Sequence, residues 1–196
     1  MKSRTTKDEI IENADQLFYK KGFEKTSFAD IANEVNISRG NFYHHFKSKD
    51  EILSAVIEYR LEKTEEMLES WQLKGKNPIE RIQSFVHILI VNLTKIKLYG
   101  CPVGSLTTEL NKLEHSSRGE ANQIFSLFRD WLKSQFVELG FRNNADKYAM
   151  HVLARSQGIA TLANAYQDEA FVNYEVKLLL DWIKNLRDEN RRLRCS

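Results

Sequence analysis

Proline occurs twice and glycine eight times in this 196-residue chain. So few breakers disfavour a β architecture, which needs frequent tight turns, and favour long uninterrupted helices. Cysteine is as scarce: Cys101 and Cys195 stand far apart, without metal-ligand spacing and without a disulfide framework, a usage that suits a reducing cytoplasm. No apolar run approaches the roughly 20 residues of a membrane span, and the first residues lack the apolar core of a signal peptide. A cytoplasmic protein with no membrane partner is the expectation. An excess of one charge is also missing. The net charge is +2, so bulk charge does not point to nucleic acid, and any DNA surface must be local. No phosphate loop, Ser/His/Asp order, paired carboxylates or metal-spaced cluster stands out, so no metal, no cofactor and no enzyme activity are expected.

What is present is a large apolar fraction, 42%, enough for a sizeable core, arranged at helical spacing. Ile10, Ile11, Ala14, Leu17 and Phe18 mark a first helix from about Thr6 to Lys21, stopped by Gly22. A second starts near Ser27, an N-cap with Asp30 three residues on as a weak capping box. Phe28, Ile31, Ala32 and Val35 form its apolar face. Asn36 tolerates the left-handed turn that follows, and Ser38 caps a third helix from Arg39 to about Phe46. A fourth follows Lys47-Ser48-Lys49-Asp50 and extends to about Trp71. Asn77 caps a fifth, with Pro78 at its first position and a broad apolar face that continues to Ile96. Gly100-Cys101-Pro102 ends it. Four more helices are expected at about 103–113, 118–139, 145–166 and 171–186, the last fraying into the basic tail Arg191-Arg192-Leu193-Arg194. The fold class is all-α, with about nine helices and no convincing strand.

Two short helices joined by a tight turn match the helix-turn-helix pattern. Ala32 allows close approach, Val35 and Ile37 plug the turn, and Phe42 and Phe46 anchor the second helix of the pair. Its opposite face is then free to enter a major groove. That face carries Arg39, Gly40, Asn41, Tyr43 and His44. A glycine costs about 1 kcal/mol in a helix interior, which makes sense where backbone must approach base edges. Arg39 suits guanine, and Asn41 suits adenine or a phosphate. Lys25, Thr26, Ser27, Ser38, Tyr43, His44, Lys47 and Lys49 suit phosphates and register. Residues 1–50 hold 9 Lys/Arg against 8 Asp/Glu, but the acids Asp8, Glu9, Glu12 and Asp15 fall on the first helix. On the residues alone, ordinary helix packing explains this stretch about as well as DNA binding does.

The stretch from about Asp8 to Leu53 resembles the amino-terminal DNA-binding domain of the TetR family of repressors. The resemblance is carried by Thr26-Ser27-Phe28-Ala29-Asp30-Ile31-Ala32 and by the run from Val35 through Ile37-Ser38-Arg39-Gly40-Asn41-Phe42-Tyr43-His44-His45-Phe46-Lys47-Ser48-Lys49-Asp50-Glu51-Ile52-Leu53. Asn36 stands where the family more often has glycine. The match covers about a quarter of the chain. The resemblance implies nine helices, a homodimer, repression from a palindromic operator, and release when a small-molecule effector binds the second domain. It divides the chain into a helix-turn-helix domain, 1–48, and a helical ligand-binding and dimerisation domain, 49–196.

Dimers of this kind pair their last two long helices. Here those carry Tyr148, Val152, Ala154, Arg155, Gly158, Ile159, Leu162 and Ala163, then Val176, Leu179, Leu180, Ile183 and Leu186. By the same resemblance the effector lies among the fourth to eighth helices, where Phe85, His87, Asn92, Tyr99, Phe125, Phe128, Trp131 and Gln157 are candidates, each also explicable as core packing. Cys101 joins them. Helix amino ends favour thiolate chemistry, and Gly100-Cys101-Pro102-Val103-Gly104-Ser105-Leu106 is similar to a stretch of a TetR subgroup that includes electrophile sensors. A small structural residue at a helix start is the other reading of Cys101. The competing functions are a helical interaction protein with a vestigial DNA module and an all-helical enzyme.

Overall fold

The structure, a computed structural model, describes residues 5–195, with the backbone alone for Arg39 and for residues 187–195. The expected basic tail and the side chain of Cys195 lie outside the described side chains. Among the described residues all regular structure is helical: α1 (Thr6–Lys21), α2 (Phe28–Val35), α3 (Arg39–His45), α4 (Lys49–Lys74), α5 (Pro78–Val91), α6 (Leu93–Tyr99), α7 (Pro102–Lys112), α8 (Arg118–Glu138), α9 (Ala145–Tyr166) and α10 (Glu169–Cys195). The helix expected from Pro78 onward is divided into α5 and α6. Asn92 makes the break: its backbone sits at φ −102°, ψ 13°, and its side-chain amide donates to the Ile88 carbonyl at 3.1 Å. Asparagine competes in this way with the regular helix ladder. None of the helices is long and apolar enough to cross a membrane among the residues described.

The chain forms two compact units. The first takes α1–α3, α4 as far as Thr64, α7, and α8 as far as Ile124. Its core joins Ile10, Ala14 and Phe18 of α1 to Ile31 and Ala32 of α2, Phe42 of α3, Ile52, Leu53, Val56 and Ile57 of α4, and Leu106 and Leu110 of α7. Phe18 and Phe23 meet edge to face at 5.3 Å between ring centres, a favoured aromatic geometry. The sequence places this core through helical spacing on α1 and α2, whose starts are fixed by reciprocal capping boxes, Thr5 with Asp8 and Ser27 with Asp30. Each box satisfies amides that would otherwise lack partners.

The second unit takes the rest of α4 and α8 with α5, α6, α9 and α10. Helix α5 packs on α9 and α10, and α6 packs on α9. Ile79, Ile82, Phe85, Val86 and Leu89 are buried on α5, as its broad apolar face predicts. Helix α9 buries Val152, Ile159, Ala160 and Ala163, and α10 buries Val172, Val176, Leu179 and Ile183. An outward strip on α9 stays uncovered: Ala154, Gly158 and Leu162, four residues apart, are exposed.

Candidate nucleic-acid interface

The α2–α3 pair is built as its sequence demands. Asn36 adopts the left-handed conformation (φ 62°, ψ 36°), and the Ile37 amide returns to the Ala32 carbonyl at 3.3 Å, closing the turn. Ser38 caps α3 by accepting from the Asn41 amide at 3.3 Å. Phe42 and Phe46 are both buried. They hold α3 from one side and leave Gly40, Asn41, Tyr43 and His44 exposed on the other. The Arg39 side chain lies outside the described residues. Among the described residues nothing lies within 4 Å of a Cβ built on Gly40, so none of them requires that glycine.

Phe28, a residue the sequence reading placed only in the core face of α2, has a second role. Its ring stacks on Tyr43 at 5.5 Å and 17°, and meets Phe42 edge-on at 5.2 Å. Tyr43, 49% exposed, is thus presented on an aromatic platform. Lys47 is exposed and its ammonium donates to the Tyr43 carbonyl at the end of α3. Lys25 is exposed. Ser27 is exposed and shares hydrogen bonds with the Asp30 carboxylate, donating from its amide at 2.8 Å and its hydroxyl at 2.7 Å. These bonds, the hydroxyl's first, hold the Asp30 carboxyl below its ordinary pKa, with Lys21 at 3.5 Å adding to the effect.

Two expected phosphate ligands are engaged within the chain. Thr26 is 1% exposed, and its hydroxyl donates to the Gly22 carbonyl at 2.7 Å. The Lys49 ammonium donates to the carbonyls of Phe23 (3.1 Å) and Glu24 (3.3 Å) and lies 4.3 Å from the centre of the Phe23 ring. The same turn is held from α7. Glu109 accepts from the amides of Phe23 and Glu24, both at 2.9 Å. Gly22 has φ +89°, a conformation that favours glycine, and a Cβ there would sit a tight 3.0 Å from the Glu109 carboxylate, the end of a flexible side chain. Sequence reasoning missed Glu109, because a lone acid on an amphipathic helix carries no signal of a partner 86 residues away.

In the second unit the structure joins some of the proposed effector residues and scatters others. Phe85 and Phe128 meet at 5.4 Å, and Trp71 reaches both Phe85 (6.4 Å) and Trp131 (5.7 Å). Trp71 completes this group of four and was not among the expected residues. The Trp131 indole Nε1 is buried without a hydrogen-bond partner among the described residues, although buried indole N–H groups usually find one. His87, one of the effector candidates, is exposed and donates from Nδ1 to the Gln83 carbonyl of its own helix at 2.7 Å. Asn92 serves the α5–α6 break. Tyr99, Cys101, Phe125 and Gln157 are half-buried.

Known proteins match both parts of the chain. Residues 10–56 match the family model described as bacterial regulatory proteins, tetR family. Residues 78–173 match that of the transcriptional regulator LmrA/YxaF-like C-terminal domain. An uncharacterized HTH-type transcriptional regulator in the lacX 3′ region of Lactococcus lactis is 31% identical over 169 residues, covering 84% of this chain and 86% of its own. The Staphylococcus aureus IcaR protein, a negative transcriptional regulator of the biofilm operon icaADBC, is 32% identical over 95 residues, 47% of this chain and 51% of its own. Among solved structures, a TetR transcriptional regulator from Legionella pneumophila superposes with a TM-score of 0.81 at 26% identity, over 91% of this chain and 97% of that one.

Proposed function

The chain belongs to the TetR family of DNA-binding transcriptional regulators, and from that premise we propose that it is a homodimeric repressor released from a palindromic operator by a small molecule. The observation that carries the reading is the α3 face. Gly40, Asn41, Tyr43 and His44 are exposed on a helix pinned by two buried phenylalanines, the arrangement a major-groove reader needs. Asn41 reads a base or phosphate, while Tyr43, His44, Lys47, Lys25, Ser27 and Ser38 set register on the backbone. Residues 1–48 supply this surface and 49–196 the effector site and the dimer contact.

The effector site centres on Trp71, Phe85, Phe128 and Trp131. An aromatic or amphipathic molecule with a hydrogen-bond acceptor fits four rings and an unsatisfied indole N–H. It releases DNA only through differential affinity for two arrangements of the dimer. Cys101, half-buried just before α7, is a second route to release through covalent modification. An unmodified Cys101 with unchanged DNA binding after a mild alkylator, read by mass spectrometry, removes that route.

Fluorescence anisotropy against DNA upstream of the chain's own gene, with random DNA as competitor, tests the main reading. Specific binding that weakens by about 10³–10⁵ between about 50 and 200 mM salt is expected of a dimer neutralising about 6–10 phosphates. Equal, weak binding to all sequences, there and in a selection from genomic fragments, would sink it.

A further inference from the structure

The turn between α1 and α2 is gripped on both sides of its peptide groups. The Glu109 carboxylate takes the N–H groups of Phe23 and Glu24, and the Lys49 ammonium takes the C=O groups of the same two residues. Phe23 is the pin of the turn: buried, under Lys49, and edge-on to His115 at 5.2 Å. His115 stands in the α7–α8 turn, where its Nδ1 accepts from the Ser117 amide at 3.1 Å and its Nε2 points at Asp50 Oδ1 at 3.5 Å. The other end of α7 is fastened too. Arg60 of α4 donates to the Pro102 carbonyl at 2.7 Å while paired with Asp15 of α1.

We propose that Glu109 is a positioning residue for DNA recognition, and that through it α7 sets the angle at which the chain enters the α2–α3 pair. Charge-assisted bonds to backbone amides are short and directional. The turn they fix lies three residues before the Ser27 cap of α2. A recognition surface works only when held to about 0.5 Å and about 10–20°. Gly22, at φ +89°, lets the backbone pass close to this carboxylate. A carboxylate beside a DNA-binding module otherwise opposes phosphate binding, so the clamp predicts an effect opposite in sign to simple charge removal.

The proposal rests on the DNA-binding reading, and its test separates the two. The full-length wild-type chain selects duplexes from a random-sequence pool. Wild type, Glu109→Ala and Glu109→Gln are then titrated against the enriched duplex and a random one at several salt concentrations. Thermal melts confirm that each is folded at the assay temperature. Glu109→Ala should lose about tenfold or more in affinity for the enriched duplex. Its affinity for the random duplex should be unchanged or slightly higher, with the same salt slope, because no phosphate contact is removed. Glu109→Gln keeps one acceptor and should fall between. Should Glu109→Ala not fold, the Glu109→Gln comparison decides alone. Specific affinity within about twofold of wild type, the scatter of independent sites, or tighter, overturns the proposal while leaving the DNA reading intact. Failure of the wild type to enrich any duplex overturns both.

Discussion

Gly40 shows how one residue separates stability from function. Among the described residues a Cβ there meets no neighbour, and glycine in a helix costs up to about 1 kcal/mol relative to alanine. Gly40→Ala should therefore stabilise the chain by up to about 1 kcal/mol, seen as a raised denaturation midpoint. If α3 lies against base edges, the same methyl group should weaken operator binding. The two measurements should move in opposite directions; a variant that is both more stable and equally tight would place Gly40 away from the DNA. Tyr43 gives the complementary case. Its ring rests on Phe28 and it is half exposed, so Tyr43→Ala should cost little stability yet weaken binding to all sequences, with the salt slope unchanged because a neutral hydroxyl releases no counterion. Lys49 differs from both. With its ammonium bound to two carbonyls of the α1–α2 turn, Lys49→Met should lower the thermal midpoint as well as DNA affinity, which a purely phosphate-facing lysine would not do.

At the scale of the element, α2 depends on a titrating cap. The Asp30 carboxyl is held below its ordinary pKa by the Ser27 hydroxyl and amide. A depressed folded-state value means that the stabilisation is present above the unfolded value, near about 4, and is lost as the pH falls through the lower folded one. Protection of the first-turn amides of α2, taken relative to their intrinsic exchange rates, should accordingly fall more steeply below about pH 4 in wild type than in Asp30→Asn; identical acid profiles would show that the box does not matter to α2. This cap was legible in the sequence, as were the left-handed Asn36, the Ser38 and Asn77 caps and the glycine stop of α1. Each depends on residues within four positions of one another. The α5–α6 break was missed because Asn92 sits inside an apolar run whose spacing continues past it to Ile96. The Glu109 clamp and the place of Trp71 in the aromatic group were beyond reach for another reason: both depend on pairings across distant helices that no local period records. Thr26 and Lys49 were expected on phosphates because exposure had to be guessed from residue type; packing buries Thr26, and the half-buried Lys49 bonds the carbonyls of the α1–α2 turn.

At the scale of the whole molecule, the α9 strip tests the proposed dimer. Ala154, Gly158 and Leu162 line a shallow groove of about 390 Å³ with His151, Phe171 and the Arg155–Glu175 ion pair. Met150, Tyr166, Tyr174 and Leu178 on α9 and α10 are also exposed. Among the described residues of one chain a Cβ on Gly158 meets nothing, so none of them requires the glycine, and removing a mid-helix glycine should by itself stabilise α9. A close helix crossing between two copies reverses that sign, since the space in front of the glycine is then filled by the partner. Gly158→Leu should leave helix content intact, shift the mass measured by light scattering from dimer toward monomer, and weaken operator binding. A palindrome is read by two recognition helices about one helical turn, roughly 34 Å, apart, and a monomer can engage only half of it. If Gly158→Leu remains a dimer with wild-type affinity, the two copies meet elsewhere, and the exposed strip on α9 needs another occupant.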